Sequence, residues 1–226
     1  ATGNTWVFFG TGRYLAASDL HDDSTQTWYG LIVDSPTRSA TPVNAGMTRT
    51  NLAKRQITSE QNQGRTVTTL AEAQNAGQSM EDKSGWYMDL LAPTGTGGAY
   101  VKEGERMVTP SQFNGGLLIG TTRIPQASDP CRPTGRGWIM AIEPFSGTNP
   151  TAAFYDWNDD GKIDGGDSIN DTPVAGIGFD KLPNNPIFMD DGSMLVSFDD
   201  GSKEKRKINT GAGSVQRVSW RELIAH

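Results

Sequence analysis

The chain has 226 residues and a formal net charge of −6, with 20 basic and 26 acidic side chains. The hydrophobic share of 35% can build a core in one large domain or two small ones, whereas the acidic balance argues against nucleic-acid binding. No stretch approaches the roughly 18 consecutive apolar residues of a membrane span, so none is expected. With 27 Gly and 12 Pro, the composition favours short elements, many turns and an all-β protein.

Strand-like runs alternate with clusters of Gly, Asp, Asn and Pro along the chain. They cover residues 5–9, 26–33, 86–91, 116–122, 138–142, 194–198 and 214–220. Two pairs of runs resemble each other: residues 7–14 parallel residues 117–124, and residues 85–88 parallel residues 137–140. Repeated strands with a Gly bend and an aromatic anchor are typical of radially repeated sheets. We therefore predict a β-propeller or part of one, with chance similarity between strands of a β-sandwich as the alternative.

Three polar segments lie between or beside these runs. Residues 35–83 are rich in Thr, Gln, Asn and Ala, and we interpret them as an insertion or long surface loop with one or two short helical turns near residues 52–57. Residues 92–99 contain a Gly-Thr-Gly-Gly sequence and predict a flexible connection, without the Lys-Ser/Thr ending of a phosphate-binding loop. Basic residues alternate with Glu204 over residues 203–207, which indicates a solvated strand face.

Residues 156–167 have the spacing of a calcium-binding loop of EF-hand type. Oxygen-bearing side chains fall at loop positions 1, 3, 5, 9 and 12, Gly161 permits the sharp turn at position 6, and Ile163 at position 8 should pack away from the ion. We predict that Ca²⁺ is the cofactor and that its ligands are Asp156, Asn158, Asp160, the backbone carbonyl of Lys162, Asp164 and Asp167.

The charge of this loop supports the same interpretation. The four carboxylates among the predicted ligands lie within twelve residues and repel one another unless a divalent ion neutralises them, although a solvated Asn/Asp-Gly turn is the alternative. Asp167 closes the loop with a shorter arm than the usual Glu, which predicts a lower calcium affinity. The calcium concentration outside the cell would still fill a weak site. The flanks do not predict helices, and the loop is therefore expected to clip two β segments instead of opening helices as a sensor does.

The sequence contains few of the cysteine and histidine residues that often act as nucleophile, general base or metal ligand in catalysis. Cys131 is the only cysteine, which excludes a disulfide within this chain, and the histidines are His21 and His226. A dockerin-like module is disfavoured because one calcium loop is present and its flanks are not helical.

An enzyme on a propeller scaffold, such as a calcium-dependent polysaccharide lyase or a quinoprotein-like dehydrogenase, is the alternative function. Arg13, Asp89, Glu105, Arg106 and the Trp residues are its candidates for lining a central pocket. The same side chains serve equally as ion pairs between blades, and we favour that interpretation.

Ordered motifs along nearly the whole chain resemble one family. They lie at residues 6–15, 18–19, 26–30, 85–90, 104–106, 129–131, 137–138 and 219–223. Together they resemble the C-terminal β-propeller of the PilY1/PilC proteins of type IV pili. The resemblance implies that residues 1–226 are the C-terminal part of such a domain and that the loop is the family's calcium loop, matched at Asp156, Asn158, Asp160, Asp164 and Asp167.

The resemblance also implies a function without catalysis. It predicts a role in pilus biogenesis, in pilus extension and retraction during twitching motility, and in adhesion, with calcium resisting retraction. The implied partners are minor pilins at the pilus tip and host or surface receptors. The implied location is extracellular, at the pilus tip or the outer-membrane surface of a bacterium, after export through the periplasm.

Overall fold

The computed structural model describes residues 3–36, 40–94, 99–126 and 134–210, which consist mainly of β-strands. The strands are β1 Thr5–Gly10, β2 Thr27–Asp34, β3 Ala53–Arg55, β4 Ile57–Gln61, β5 Gly64–Val67, β6 Gly85–Asp89, β7 Ala92–Thr94, β8 Ala99–Val101, β9 Gln112–Asn114, β10 Leu117–Gln126, β11 Thr134–Ile142, β12 Ser168–Ile169, β13 Thr172–Pro173, β14 Gly176–Phe179, β15 Ile187–Met189, β16 Ser193–Ser197 and β17 Lys203–Lys207. Helix α1 covers Leu70–Asn75, and short 3-10 helices cover Ala17–His21 and Arg49–Asn51. Within these ranges, no helix combines the length and apolar character needed to cross a bilayer.

The strands form several sheets in which neighbours are mostly antiparallel. A four-stranded sheet has the order β1-β2-β6-β3, a six-stranded sheet the order β4-β5-β14-β11-β10-β9, and a three-stranded sheet the order β15-β16-β17. Strands β3 and β6 pair in parallel. The pairs β7-β8 and β12-β13 form two small ribbons. The all-β class predicted from the composition is therefore confirmed, and the orders found among the described strands are those of open sheets.

The six-stranded sheet is the middle layer, with a hydrophobic core on each face. Alternate residues of β11 point to opposite faces because successive side chains of a strand do so. One core joins Trp138, Met140 and Ile142 to Trp28, Trp86 and Met88 of the four-stranded sheet. The other joins Ile139 and Ala141 to Met194, Val196 and Phe198 near the three-stranded sheet. Burial on both faces agrees with the unbroken apolar stretches at residues 117–119 of β10 and 138–142 of β11.

The repeated Gly-Trp motif has a structural role that is the same in two sheets. Trp86 on β6 lies opposite Gly30 on β2, and Trp138 on β11 lies opposite Gly178 on β14. A Cβ atom at Gly30 would come within 2.5 Å of the Trp86 indole, and one at Gly178 within 2.9 Å of the Trp138 indole. Each indole therefore covers a glycine of the neighbouring strand, which accounts for the similarity of the two sequences.

Six of the seven predicted strand runs correspond to strands, namely β1, β2, β6, β10, β11 and β16. The seventh run, residues 214–220, lies outside the described residues, as does Cys131. Residues 92–99 contribute strands β7 and β8 of a ribbon, and residues 95–98 between them also lie outside the described part. The alternating exposure of β17 agrees with a largely solvated strand face.

The interpretation of residues 35–83 as a surface loop is wrong for residues 53–67. This part forms strands β3, β4 and β5, and Ala53, Ile57 and Val67 are buried. The helical turn expected near residues 52–57 is also wrong: β3 and the start of β4 lie there, and a short 3-10 helix precedes them at Arg49–Asn51. The segment looks polar because its buried positions include arginines: Arg55 and Arg65 are both at most 1% exposed. Buried arginines do not contribute to a periodic pattern of apolar residues, so the sequence gives no sign that this segment lies in the interior.

Candidate metal centre

The loop of residues 156–167 lies between β segments. Tyr155 pairs with Ile208 in an isolated antiparallel bridge, and the Asp156 amide donates to the Lys207 carbonyl at 3.2 Å. After the loop, Ser168–Ile169 and Thr172–Pro173 form the β12-β13 ribbon. The loop is therefore flanked by β segments and not by helices, as predicted from the sequence. An isolated bridge precedes it and the β12-β13 ribbon follows it.

Asp156 and Asp167, at positions 1 and 12, lie at the base of the loop and are 4% and 1% exposed. Asp167 Oδ1 accepts bonds from the amides of Trp157 at 2.6 Å and Asn158 at 3.2 Å, and Oδ2 accepts from the Asp164 amide at 3.0 Å. Asp156 Oδ2 accepts from the Gly161 amide at 3.0 Å. The carboxylate at position 12 thus closes the loop onto its own start.

Asn158, Asp160 and Asp164, at positions 3, 5 and 9, are exposed. Each accepts a bond from an amide two residues further on: Asn158 Oδ1 from Asp160 at 3.0 Å, Asp160 Oδ1 from Lys162 at 2.7 Å, and Asp164 Oδ1 from Gly166 at 2.8 Å. These short turns wind the loop tightly, and Gly161 at φ +82° supplies the left-handed conformation that glycine favours.

The predicted ligands are only partly brought together. Among the described residues, no group of three or more His, Cys, Asp or Glu side chains lies in an arrangement that could hold a metal ion. However, Asp156 Oδ1 is buried without a hydrogen-bond partner. A buried carboxylate oxygen without a partner is costly, and a cation would remove that cost. Carboxylate, amide and carbonyl oxygens are also the ligands that Ca²⁺ prefers, so the residues present fit this ion.

Three side chains around the loop were not identified from the sequence. Arg206 Nη1 donates to both carboxylate oxygens of Asp159 at 2.7 Å, and Lys207 Nζ donates to the Gly161 carbonyl. Trp157 Nε1 donates to the Asn62 carbonyl at 3.1 Å. The partners are 46 to 95 residues apart in the chain, and no local pattern signals the contacts.

The candidate enzyme residues make separate structural contacts. Arg106 donates to the carbonyls of Arg13 and Asp19 at 2.9 and 2.6 Å. Glu105 pairs with buried Arg65 at 2.7 Å, and Asp89 pairs with Arg49 at 3.0 Å. These contacts support the interpretation of the charged residues as ion pairs and anchors of the fold.

Acidification tests the contacts of the Asp19 carboxylate with Arg13 and with two backbone amides. Hydrogen bonds from the backbone amides of Leu15 and Ala16 hold the pKa of the Asp19 carboxyl at about 2, below its usual 3.8, and the ion pair with Arg13 contributes a smaller lowering. A lowered folded-state pKa stabilises the fold above the unfolded-state pKa, and this contribution is lost as the pH falls through the folded-state value. We expect the stability difference between the native chain and Asp19→Asn to shrink between about pH 3.8 and about pH 2, as measured by urea unfolding. Exposed Asp190→Asn is the control, and a difference that is constant with pH would contradict the assignment.

Comparison with known proteins identifies relatives of the whole chain. No protein-family model matches it. The chain is 39% identical over 226 residues to a type IV pilus biogenesis factor PilY1 homolog of Xylella fastidiosa, an alignment that covers 99% of the chain and 17% of the relative. It is 24% identical over 238 residues to the type IV pilus biogenesis factor PilY1 of Pseudomonas aeruginosa, covering 96% of the chain and 19% of that protein. The chain thus spans less than a fifth of these relatives.

A solved structure agrees with the sequence comparison. The crystal structure of the Pseudomonas aeruginosa PilY1 C-terminal domain matches with a TM-score of 0.62 and 22% identity, covering 92% of this chain and 42% of that one. The layered open sheets are therefore a partial or modified form of that domain's β-propeller, as the fold prediction stated. The resemblance inferred from the sequence is confirmed: the chain is similar to PilY1 proteins over nearly its whole length, and its fold matches part of the PilY1 C-terminal domain.

Proposed function

We propose that this chain is a calcium-binding, non-enzymatic part of a type IV pilus biogenesis factor. In this proposal it acts outside the cell, at the pilus tip or the outer-membrane surface, in pilus extension and retraction and in surface or host adhesion. Minor pilins and surface receptors are the proposed partners. The pilus role is supported by 39% identity over 99% of the chain to a relative of that name.

The observation that carries the calcium part is the buried, unpartnered Oδ1 of Asp156 in a loop with EF-hand spacing. Asp156, Asn158, Asp160, Asp164, Asp167 and the Lys162 carbonyl would hold the ion. Bound Ca²⁺ supplies the positive charge that the clustered carboxylates lack. Asp167 joins both ends of the loop through the amides of Trp157 and Asp164, so the chain itself already holds the loop closed.

The function is tested with the full-length protein in the bacterium that produces it. We expect deletion of the gene to reduce surface pili and twitching, and native protein to restore both. A double variant, Asp160→Asn with Asp164→Asn, should restore twitching incompletely, with the native strain impaired similarly when calcium is chelated. Asp171→Asn, which removes an exposed acid just beyond the loop, is the matched control.

The two parts of the proposal fail separately. Normal pili and twitching in the deletion strain would contradict the pilus role. Full restoration by the double variant, together with native calcium binding by the purified variant, would contradict the role assigned to the loop.

A further inference from the structure

The outward-facing contacts of the loop alternate with its predicted ligand positions. Positions 1, 3 and 5 carry Asp156, Asn158 and Asp160, while positions 2, 4 and 6 carry Trp157, Asp159 and Gly161. Each of the three even positions contacts a residue outside the loop. The predicted ligand positions 3 and 5 bond only to amides within the loop in the hydrogen bonds described above.

Position 2 attaches the loop to the six-stranded sheet. Trp157 Nε1 donates to the Asn62 carbonyl at 3.1 Å, in the turn between β4 and β5. The indole also lies over Gly64, where an added Cβ would come within 2.5 Å of Nε1. Because Gly64 lacks a side chain, the indole can rest directly on the backbone of this hairpin.

Positions 4 and 6 attach the loop to β17 of the three-stranded sheet. Arg206 holds both oxygens of Asp159 at 2.7 Å, and Lys207 holds the Gly161 carbonyl. Asp159 has a φ of +57°, a conformation that costs a residue with a side chain some free energy. The two charge-assisted bonds that Arg206 Nη1 donates to the Asp159 carboxylate favour this turn and oppose that cost.

We propose that Trp157, Arg206 and Lys207 are positioning residues of the calcium site. They hold positions 2, 4 and 6 between two sheets, so that the ligands at positions 1, 3 and 5 are presented to the ion in a preformed loop. This inference rests on the proposed calcium site and adds to it which residues set its affinity. It also makes the ion a link between the β4-β5 turn and β17.

The sign of the effect on affinity separates positioning from simple electrostatics. Removing a positive charge beside a cation site favours the cation if Coulomb energy alone acts. If Arg206 and Lys207 position the loop, removing them should instead weaken calcium binding. Loss of groups that orient metal ligands typically costs about 10–100-fold in affinity.

The experiment is calcium titration by calorimetry on the native chain, Arg206→Gln, Lys207→Gln and the double variant. We expect the double variant to bind calcium at least about tenfold more weakly, and calcium to dissociate faster into a chelator. Lys207→Arg, which keeps the charge and the donor, should restore affinity. Lys203→Gln removes the same charge from the exposed opposite end of β17 and should not weaken binding.

Trp157→Phe tests the other sheet without changing charge. In the native chain, calcium should slow amide hydrogen exchange both in residues 61–64 and in β17. In this variant the protection of residues 61–64 should be lost while that of β17 persists.

Unchanged or tighter binding by the folded double variant would overturn the inference, as would equal weakening in Lys203→Gln. If the double variant does not fold, native affinity and native exchange protection in Trp157→Phe would overturn it. Absence of saturable calcium binding by the native chain would instead refute the proposed function itself.

Discussion

Replacing Asp156 by Asn is expected to abolish saturable calcium binding and the stabilisation that calcium provides. The substitution keeps the shape of the side chain but removes the charge from the one loop carboxylate whose Oδ1 is buried and unpartnered. At a calcium concentration about 100 times the dissociation constant, binding should raise the free energy of unfolding of the native chain by about 2.7 kcal/mol. Calcium titration by calorimetry and thermal unfolding with and without calcium measure both effects.

Asp171→Asn is the matched control for Asp156→Asn. It removes an equal charge close to the loop, and its left-handed φ of +61° is one that Asn tolerates. We expect native calcium affinity and native calcium-dependent stabilisation in this control. Equal heats of binding in the native chain and Asp156→Asn would refute the site assignment.

Replacing Glu105 by Gln is expected to destabilise the fold by about 3–5 kcal/mol, the cost of removing one partner of a buried ion pair. Glu105 and Arg65 are 1% and 0% exposed and are joined by two bonds of 2.7 and 3.0 Å. Arg65 also lies 3.9 Å from the centroid of the Trp138 ring. Because Glu60 still pairs with Arg65, we expect a value near the lower end of this range. Urea unfolding measures the change.

An exposed ion pair provides the control for Glu105→Gln. Lys205 and Asp191 pair at 2.8 Å, but their side chains are 55% and 54% exposed. Lys205→Gln should cost only about 0–1 kcal/mol, because solvent screens such pairs. A loss for Glu105→Gln as small as that of Lys205→Gln would show that the buried pair is not required to hold β5 in the six-stranded sheet.

The link between these two predictions lies in the β4-β5 hairpin. Arg65 near the start of β5 attaches the hairpin to the core through Glu105. The turn preceding β5 accepts a hydrogen bond from Trp157 of the proposed calcium loop. Loosening the buried pair should therefore also lower calcium affinity, if the loop is positioned as we infer. We expect a decrease in affinity because the same short hairpin makes both the Arg65–Glu105 ion pair and the contact with Trp157.

Local patterns were sufficient to predict most strands and the spacing of the loop. Strand runs such as β1, β2 and β11 carry dense apolar and aromatic residues bounded by turn residues, and that signal is contained in a few neighbouring positions. The candidate ligands Asp156 to Asp167 likewise lie within twelve residues, so their spacing can be recognised from the sequence without knowledge of the fold. The resemblance to the PilY1 family depended on the order of such short motifs and was confirmed by relatives and by fold.

The tertiary structure alone decided which groups surround the loop and which polar residues are interior. Arg206 and Asp159 are 47 residues apart, and Trp157 and Asn62 are 95 apart, so their contacts depend on sheet order and strand register. Strands β3 to β5 were missed because a buried arginine paired with a buried glutamate looks like a surface residue in the sequence. The amino-acid sequence by itself therefore determined the position and spacing of the proposed calcium loop, whereas the packing of distant strands determined what holds that loop in place.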